Sequence, residues 1–223
     1  MNISDNILKE CLKNVYFING TSYAGKSTMV RMLAEKHGMI WCGENYHARL
    51  SDEIATPEDQ PSLSYFKTME SWQAFISRTP DEYEAWIDGG AREASEFEVA
   101  ELLRLSAQGK RIIADTNISA ENLHRISDYH RVAIMLSPQS LSVERFFDRE
   151  DADKQFLLQQ VQAAPDPVRA MKNWRECIAR INRPEVFARF EQSGFFTVYR
   201  EHADVDTREE VLRVLEEHFG LDR

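Results

Sequence analysis

The stretch Gly20-Thr21-Ser22-Tyr23-Ala24-Gly25-Lys26-Ser27 decides the fold that we predict for this chain. It matches the pattern G-x-x-x-x-G-K-[ST] at every defined position. The apolar run 15–18 precedes it, and residues 27–37 have helical spacing of apolar side chains before Gly38. A buried strand, a glycine-rich loop and a helix are therefore expected in that order, which is the context that the pattern requires.

The residue types in this loop are those that phosphate binding needs. Gly20 and Gly25 allow the backbone to approach phosphate oxygens closely, and successive N–H groups with the following helix attract an anion. Lys26 supplies a mobile cation for the β- and γ-phosphates, and the Ser27 hydroxyl is placed to ligate Mg²⁺. The loop and Thr28 thus predict a site for ATP and Mg²⁺, the alternative being a glycine-rich turn that contains Lys and Ser by chance.

Length and composition limit the class of protein. The chain has 223 residues, enough for one α/β domain with an inserted or flanking subdomain. The 43% hydrophobic and 29% charged residues indicate a globular protein, and a net charge of -10 disfavours a general nucleic-acid surface. No apolar run approaches a membrane span, and residues 1–13 lack a secretory signal. Three isolated cysteines favour a reduced, cytoplasmic compartment. These are Cys11, Cys42 and Cys177.

Strand-like runs alternate with longer helical patterns, which favours an α/β fold with a parallel sheet. The longest gap between runs carries Thr56-Pro57, Gln60-Pro61 and Thr79-Pro80 as breakers and Gly89-Gly90 as an interruption. We predict a helical subdomain over about 45–108 that ends in a helix over 91–107, and a lid over about 138–164. The five predicted strands are 15–18, 39–42, 112–114, 132–136 and 195–199.

Two carboxylates follow predicted strands at the edge where the glycine-rich loop lies. Asp115 ends the third strand and can hold Mg²⁺ through water or orient a nucleophile, unless it only forms an Asx-turn or a helix cap. Glu44 follows the second strand and is the preferred general base, although Asp115 remains an alternative for that role. His47, three residues on, can share this site or simply begin a helix.

Three arginines are candidates for contacts with the nucleotide. Arg145 and Arg149 are four residues apart in a polar segment after the fourth strand, so one helix face would carry both over the phosphates. Pairing with neighbouring acids on a solvated helix is the alternative. Arg183 precedes Pro184 and is free to stack on a base or reach a phosphate, unless the turn is an ordinary helix junction.

Taken in chain order, these motifs resemble the P-loop kinases of the nucleoside-monophosphate-kinase and shikimate-kinase type. Asp115-Thr116-Asn117 is also similar to the D-x-T-N strand ending of polynucleotide-kinase-like enzymes. The resemblance implies a three-layer P-loop kinase fold with sheet order 2-3-1-4-5, and Lys26, Ser27, Arg145 and Arg149 as the groups that bind and activate ATP·Mg²⁺. Gly43-Glu44-Asn45 departs from the Asp-x-Asp-like segment of shikimate kinases, so their substrate does not transfer to this chain.

The charge of the segment 45–105 bears on the acceptor. It holds thirteen Asp or Glu against five Lys or Arg, which suits a phosphorylated acceptor poorly. We therefore expect transfer of the γ-phosphoryl group to a hydroxyl of a small neutral or cationic molecule, such as a nucleoside, a sugar or an antibiotic. A nucleoside-monophosphate kinase and a non-catalytic ATP-binding switch remain alternatives, and the acids can instead coat solvent-facing helices.

Overall fold

A computed structural model describes residues 3–148, 152–200 and 205–222. It contains one five-stranded sheet, all parallel, in the order β2-β3-β1-β4-β5. This confirms the predicted fold class and strand order, and each strand begins or ends within two residues of its prediction. The strands are β1 (Val15–Gly20), β2 (Ile40–Cys42), β3 (Ile112–Asp115), β4 (Val132–Leu136) and β5 (Phe196–Tyr199).

The described helices alternate with these strands. They are α1 (Asp5–Cys11), α2 (Lys26–His37), α3 (Ala48–Ile54), α4 (Tyr65–Thr68), α5 (Trp72–Ile76), α6 (Pro80–Ser106), α7 (Ala120–Ile126), α8 (Gln139–Glu144), α9 (Ala152–Gln162), α10 (Pro167–Ile181), α11 (Pro184–Glu191) and α12 (Arg208–Phe219), with a 3-10 turn at Tyr129–Arg131. No described helix is both long enough and apolar enough to cross a lipid bilayer.

Helices cover both faces of the sheet. Side chains alternate between faces along a strand, so Ile18 and Ile113 face one side. There they pack with Leu33 of α2 and Leu215 of α12 in one buried cluster. Phe17 belongs to the opposite face and is fully buried, as a third layer of helices requires. Burial on both faces explains why the central strands read as continuous apolar runs.

The chain divides into two compact units. The first contains residues 3–54, 94–137 and 188–222 among those described, and includes the whole sheet. The second contains residues 55–93 and 138–187, again among those described. Two of the four boundaries fall inside α6 and α11, so each of these helices contributes to both units.

An aromatic cluster forms the core of the second unit. Phe75 is buried and contacts Trp86 and Trp174, with ring centroids 5.1 and 5.8 Å away. Trp86 also donates a hydrogen bond from Nε1 to the Ser62 carbonyl at 3.0 Å. The aromatic side chains of this segment therefore pack mainly against one another, as expected for a helical core.

Helix α6 corrects two expectations. It runs through Gly89-Gly90 without interruption and begins at Pro80, where Thr79 and Glu82 form a capping box. A Cβ atom on Gly89 would lie 2.3 Å from the Ser62 hydroxyl oxygen. Close approach of the neighbouring segment, rather than an interruption of the helix, explains this glycine, and the packing outweighs its low helix propensity of about 1 kcal/mol.

The predicted helix carrying both Arg145 and Arg149 is also corrected. Helix α8 ends at Glu144, and Arg145 is its C-cap, with φ -105° and ψ 16°. The residues after it form a turn, in which Phe146 and Phe147 both pack against the aromatic cluster. Both aromatic side chains are partly buried in this way. Arg149 lies outside the described residues.

An ion-pair cluster joins α2 to α12 in the first unit. The buried Glu216 carboxylate accepts hydrogen bonds from Lys36 Nζ at 2.9 Å and from His37 Nε2 at 2.6 Å. Burial raises the pKa of Glu216, but the bonds from Lys36 and His37 outweigh burial and hold the pKa below its ordinary value of 4.5. The ionised carboxylate therefore stabilises the packing of these two helices.

Replacing Glu216 with glutamine is expected to lower the free energy of unfolding by about 1–2 kcal/mol at pH 7. Because the folded pKa is the lower one, this contribution is complete above the unfolded pKa and is lost as the pH falls through the folded pKa. Urea denaturation at pH 7 and pH 3 measures both values. Glu217→Gln, an exposed neighbour on the same helix, should change neither. Equal losses at both pH values would contradict the assignment.

Candidate functional site

The glycine-rich loop, residues 20–27, connects the end of β1 to the start of α2. Gly20 has φ 132°, and a Cβ atom there would lie 1.9 Å from the Met135 carbonyl oxygen. The same carbonyl accepts a hydrogen bond from Thr21 N at 3.0 Å. Tyr23 and Gly25 also have positive φ, 65° and 88°. The loop is thus a tight turn against β4 that only glycine permits at position 20.

Buried polar side chains hold the start of this loop. Asn19 donates to the Ile118 carbonyl at 2.7 Å and accepts from Gly20 N at 2.6 Å. Ser137 donates from its backbone to Thr21 Oγ1 at 2.9 Å and from its hydroxyl to the Ser22 carbonyl at 2.7 Å. These bonds satisfy loop groups on the protein side and give the loop one conformation.

Lys26 and Ser27 begin helix α2 and bring two kinds of group to the loop. Lys26 Nζ donates to the Thr21 carbonyl at 3.1 Å, so the ammonium lies over the loop itself. The first N–H groups of the twelve-residue helix have no partner within the helix and carry its positive dipole end. A cation and N–H donors therefore meet at one point, which suits a phosphate group.

Ser27 and Asp115 form the polar pair beside this point. Ser27 Oγ donates to Asp115 Oδ2 at 2.8 Å, and strand register places Asp115 opposite Ile18 on β1. Asp115 is 6% exposed. Burial raises the pKa of Asp115, whereas Lys26 and the Ser27 hydrogen bond lower it. The charge of Glu44 also raises it, and the resulting pKa lies above its ordinary value. A hydroxyl and a carboxylate are oxygen ligands of the kind that Mg²⁺ takes together with phosphate oxygens.

Glu44 lies on the turn after β2 and is exposed. Asn45, the next residue, has φ 58°, a left-handed conformation that asparagine tolerates in tight turns. Strands β2 and β3 pair in parallel with Cys42 opposite Ala114, so Glu44 and Asp115 follow neighbouring strand ends at one edge of the sheet. The structure thus brings Lys26, Ser27, Asp115 and Glu44 to the same edge of the sheet.

Glu98 of α6 is a residue of this edge that the sequence did not single out. Its side chain is fully buried and accepts hydrogen bonds from Thr116 Oγ1, from Asn117 N at 3.1 Å and from Asn117 Nδ2 at 2.9 Å. The Tyr46 hydroxyl also donates to it at 3.3 Å. Burial raises the pKa of Glu98, against the effect of these donors. The sequence signal that could have indicated Glu98 is an acidic residue among the apolar positions of one helix face.

His47 is buried at 4% exposure rather than open to the site. Its Nδ1 has no hydrogen-bond partner in the described structure and lies 3.9 Å from Glu98 Oε1, which is too long for a hydrogen bond. Burial lowers the pKa of His47, and the charge of Asp52 opposes this effect. The imidazole is therefore neutral near pH 7 and packs beside Glu98.

Arg200, directly after β5, is a second residue that sequence reasoning missed. Its Nη1 donates to the Tyr23 carbonyl at 3.4 Å, and a Cβ on Gly25 would lie 3.5 Å from the same nitrogen. A cavity of about 100 Å³ lies beside the loop, between Thr28, Met29 and Arg200. Arg200 thus adds positive charge to the loop from a strand far away in sequence.

Two of the predicted arginines, Arg145 and Arg183, lie in the second unit. Arg145 is exposed at the end of α8. Arg183 forms ion pairs with Glu84 and, at 3.6 Å, with Glu185, and donates to the Arg180 carbonyl at 3.0 Å. Its contact with a base or phosphate stays a prediction, as do the nucleotide contacts of Arg145 and Arg149.

Several acids of the segment 45–105 are used inside the protein. Glu93 accepts from the backbone N–H groups of Ser62 and Leu63, and Glu84 pairs with Arg180 at 2.8 Å. Glu98 is buried, as described above. These acids do not act as free surface charge, so the acidic balance supports a cationic acceptor less than the residue count suggests.

Comparisons with known proteins were made for the whole chain. No family model, curated protein or solved structure matches it. Among the residues that the structure describes, no group of three or more His, Cys, Asp or Glu side chains could hold a metal by itself. Any metal at Ser27 and Asp115 would therefore need ligands from a bound phosphate or from water.

Proposed function

We propose that this protein is an ATP- and Mg²⁺-dependent phosphotransferase that moves the γ-phosphoryl group to a hydroxyl of a small neutral or cationic acceptor. The observation that carries the proposal is the hydrogen bond of 2.8 Å between Ser27 and Asp115, beside Lys26 and the N-terminus of α2. This set fits a nucleotide phosphate with its metal, because the Lys26 ammonium and the first N–H groups of α2 meet beside the loop and the hydroxyl and carboxylate oxygens suit Mg²⁺.

Each residue of the set has a distinct role in the proposed reaction. Lys26 neutralises charge that develops on the transferring group, and the loop N–H groups hold the phosphates. Ser27 and Asp115 hold Mg²⁺, whose chemistry when bound is to neutralise phosphate charge. Arg145, Arg149 and Arg183 are proposed to complete the nucleotide contacts.

The acceptor hydroxyl is oriented by a carboxylate at the end of β2 or β3. Its oxygen attacks the γ-phosphorus as the bond from that phosphorus to the β-phosphate oxygen breaks, which yields the phosphorylated acceptor and ADP. The hydroxyl proton passes to Glu44, the more exposed carboxylate, because Asp115 is engaged with Ser27. Asp115 is the alternative base.

The compartment proposed is the cytoplasm. All three cysteines are free, and burial raises the pKa of Cys42 to about 12 and that of Cys177 to about 11, so these two thiols are unreactive. Cys11 is exposed. An exposed reduced thiol fits a reducing compartment.

Of the two alternatives, one has specific support. A nucleoside-monophosphate kinase is favoured by the internal pairing of the acids, because it removes part of the charge argument against an anionic acceptor. A non-catalytic switch would use the same loop to bind ATP and change its affinity for a partner.

The test is incubation of the purified protein with γ-labelled ATP, Mg²⁺ and a panel of nucleosides, nucleoside monophosphates, sugars and aminoglycosides. Label transferred to a neutral or cationic acceptor is the expected result. Label in a monophosphate would establish the first alternative instead. Tight ATP binding measured by calorimetry, with no transfer to any acceptor and none to water, would favour the switch and contradict the proposal.

A further inference from the structure

The Glu98 cluster does more than fill the interior of the first unit. Glu98 has two carboxylate oxygens that only accept hydrogen bonds when ionised, and four donor groups surround them. Two of these donors, the backbone and side-chain N–H groups of Asn117, belong to the same exposed residue. The amide of Asn117 therefore has only one favourable orientation, with Nδ2 toward Glu98 and Oδ1 away from it.

The same carboxylate also fixes the two strand ends that carry the proposed reaction. Thr116 and Asn117 directly follow Asp115, and Tyr46 lies two residues after Glu44. Thr116 Oγ1 accepts from Ile118 N at 3.1 Å, which leaves its proton for Glu98. One buried side chain thus ties the turn after β2 to the segment after β3.

We propose that Glu98 is a positioning residue that locks the Asn117 amide with its carbonyl oxygen outward and holds Glu44 near Asp115. The edge of the sheet then presents three groups that accept hydrogen bonds: the Glu44 and Asp115 carboxylates and Asn117 Oδ1. This inference rests on the proposed function and deepens it. The acceptor is a molecule with at least two O–H or N–H donors, of which one is the reacting hydroxyl, as in a polyol or an amino alcohol.

Exchanging the carboxylate and the amide between positions 98 and 117 tests this proposal. In Glu98→Gln one of the two accepting oxygens becomes an N–H donor, so the four donors around it lose an acceptor and the hold on Asn117 is weakened. In Asn117→Asp two carboxylates face each other. The double variant Glu98→Gln, Asn117→Asp restores a complementary pair with an oxygen outward, because the introduced glutamine donates to the introduced aspartate.

Phosphoryl transfer to the acceptor found in the panel is the first measurement. Each single variant is expected to lower kcat about 10²-fold with little change in the affinity for ATP, since misplaced catalytic groups have effects of this size. The double variant is expected to recover at least about tenfold of that loss. The proposal would be overturned if the loss of kcat in the double variant equalled the product of the losses in the two single variants.

Glu93→Gln is the matched control. Glu93 lies on the same helix, is 4% exposed, and accepts two backbone N–H groups away from the strand ends. It should lower stability to a similar extent and leave kcat unchanged. An equal loss of kcat in Glu93→Gln would show that Glu98 acts only through stability and would overturn the positioning role.

A second measurement needs neither ATP nor an acceptor. In the ligand-free protein, the bonded side-chain amide proton of Asn117 should exchange with water slowly, and about tenfold faster in Glu98→Gln, as the loss of one hydrogen bond implies. Equal exchange rates, measured by NMR, would overturn the lock. If no acceptor is phosphorylated but the exchange rates differ as expected, the proposed function fails while the lock at Asn117 stands.

Discussion

Replacing Lys26 with alanine is expected to slow phosphoryl transfer by about 10²- to 10³-fold, the usual effect of removing one preorganised donor from the charge that develops in a transition state. Lys26 Nζ already lies over the loop, bonded to the Thr21 carbonyl at 3.1 Å, so little reorganisation is needed when phosphate binds. The loss should appear mainly in kcat, because in the proposed function the loop N–H groups hold the nucleotide without Lys26. Initial rates with γ-labelled ATP measure it.

Arg31→Ala is the charge-matched control for Lys26. Arg31 lies on the same helix, is exposed and makes a long contact of 4.0 Å with Glu35. The substitution removes one positive charge without touching the loop, so kcat should stay within about twofold of the unaltered protein, as a weak surface ion pair implies. An unchanged rate in Lys26→Ala would contradict the proposed function, and equal losses in both variants would assign the effect to net charge.

The sheet could be predicted from the sequence because its strands are buried on both faces. Runs such as Val132–Leu136 are apolar at every position, and alternation with helices implies parallel pairing. The loop was equally predictable, since Gly20 and Gly25 meet a local backbone requirement that sequence displays directly. Local patterns therefore located Lys26, Ser27 and Asp115.

Residues that act through long-range contacts could not be found in this way. Glu98 is 18 residues from Thr116 and carries no motif, so only the fold shows that its carboxylate is buried beside Asn117. Arg200 reaches Tyr23 across 177 positions of sequence. The helix through Gly89-Gly90 was missed because a local propensity was read without the segment at Ser62 that packs against it.

Replacing Gly20 with alanine is expected to have the largest effect on stability, about 3–5 kcal/mol in the free energy of unfolding. The added Cβ would lie 1.9 Å from the Met135 carbonyl oxygen, a backbone atom within the sheet that cannot move aside as a side chain could. The residue also has φ 132°, which side chains disfavour. Such a loss is a large part of the roughly 5–15 kcal/mol that holds a typical domain folded.

Gly38→Ala separates the clash from the backbone strain. Gly38 has φ 61° at the end of α2, and a Cβ there meets nothing within 4 Å, so only the strain of about 1–2 kcal/mol applies. Urea denaturation of both variants measures the difference, provided the slopes of the two transitions agree. The same Met135 carbonyl accepts the hydrogen bond from Thr21 N, so Gly20→Ala is also expected to displace the loop and weaken the proposed binding of ATP. Gly38→Ala should leave the affinity for ATP unchanged. Equal destabilisation by the two substitutions would contradict the close approach of β1 to β4 on which the loop depends.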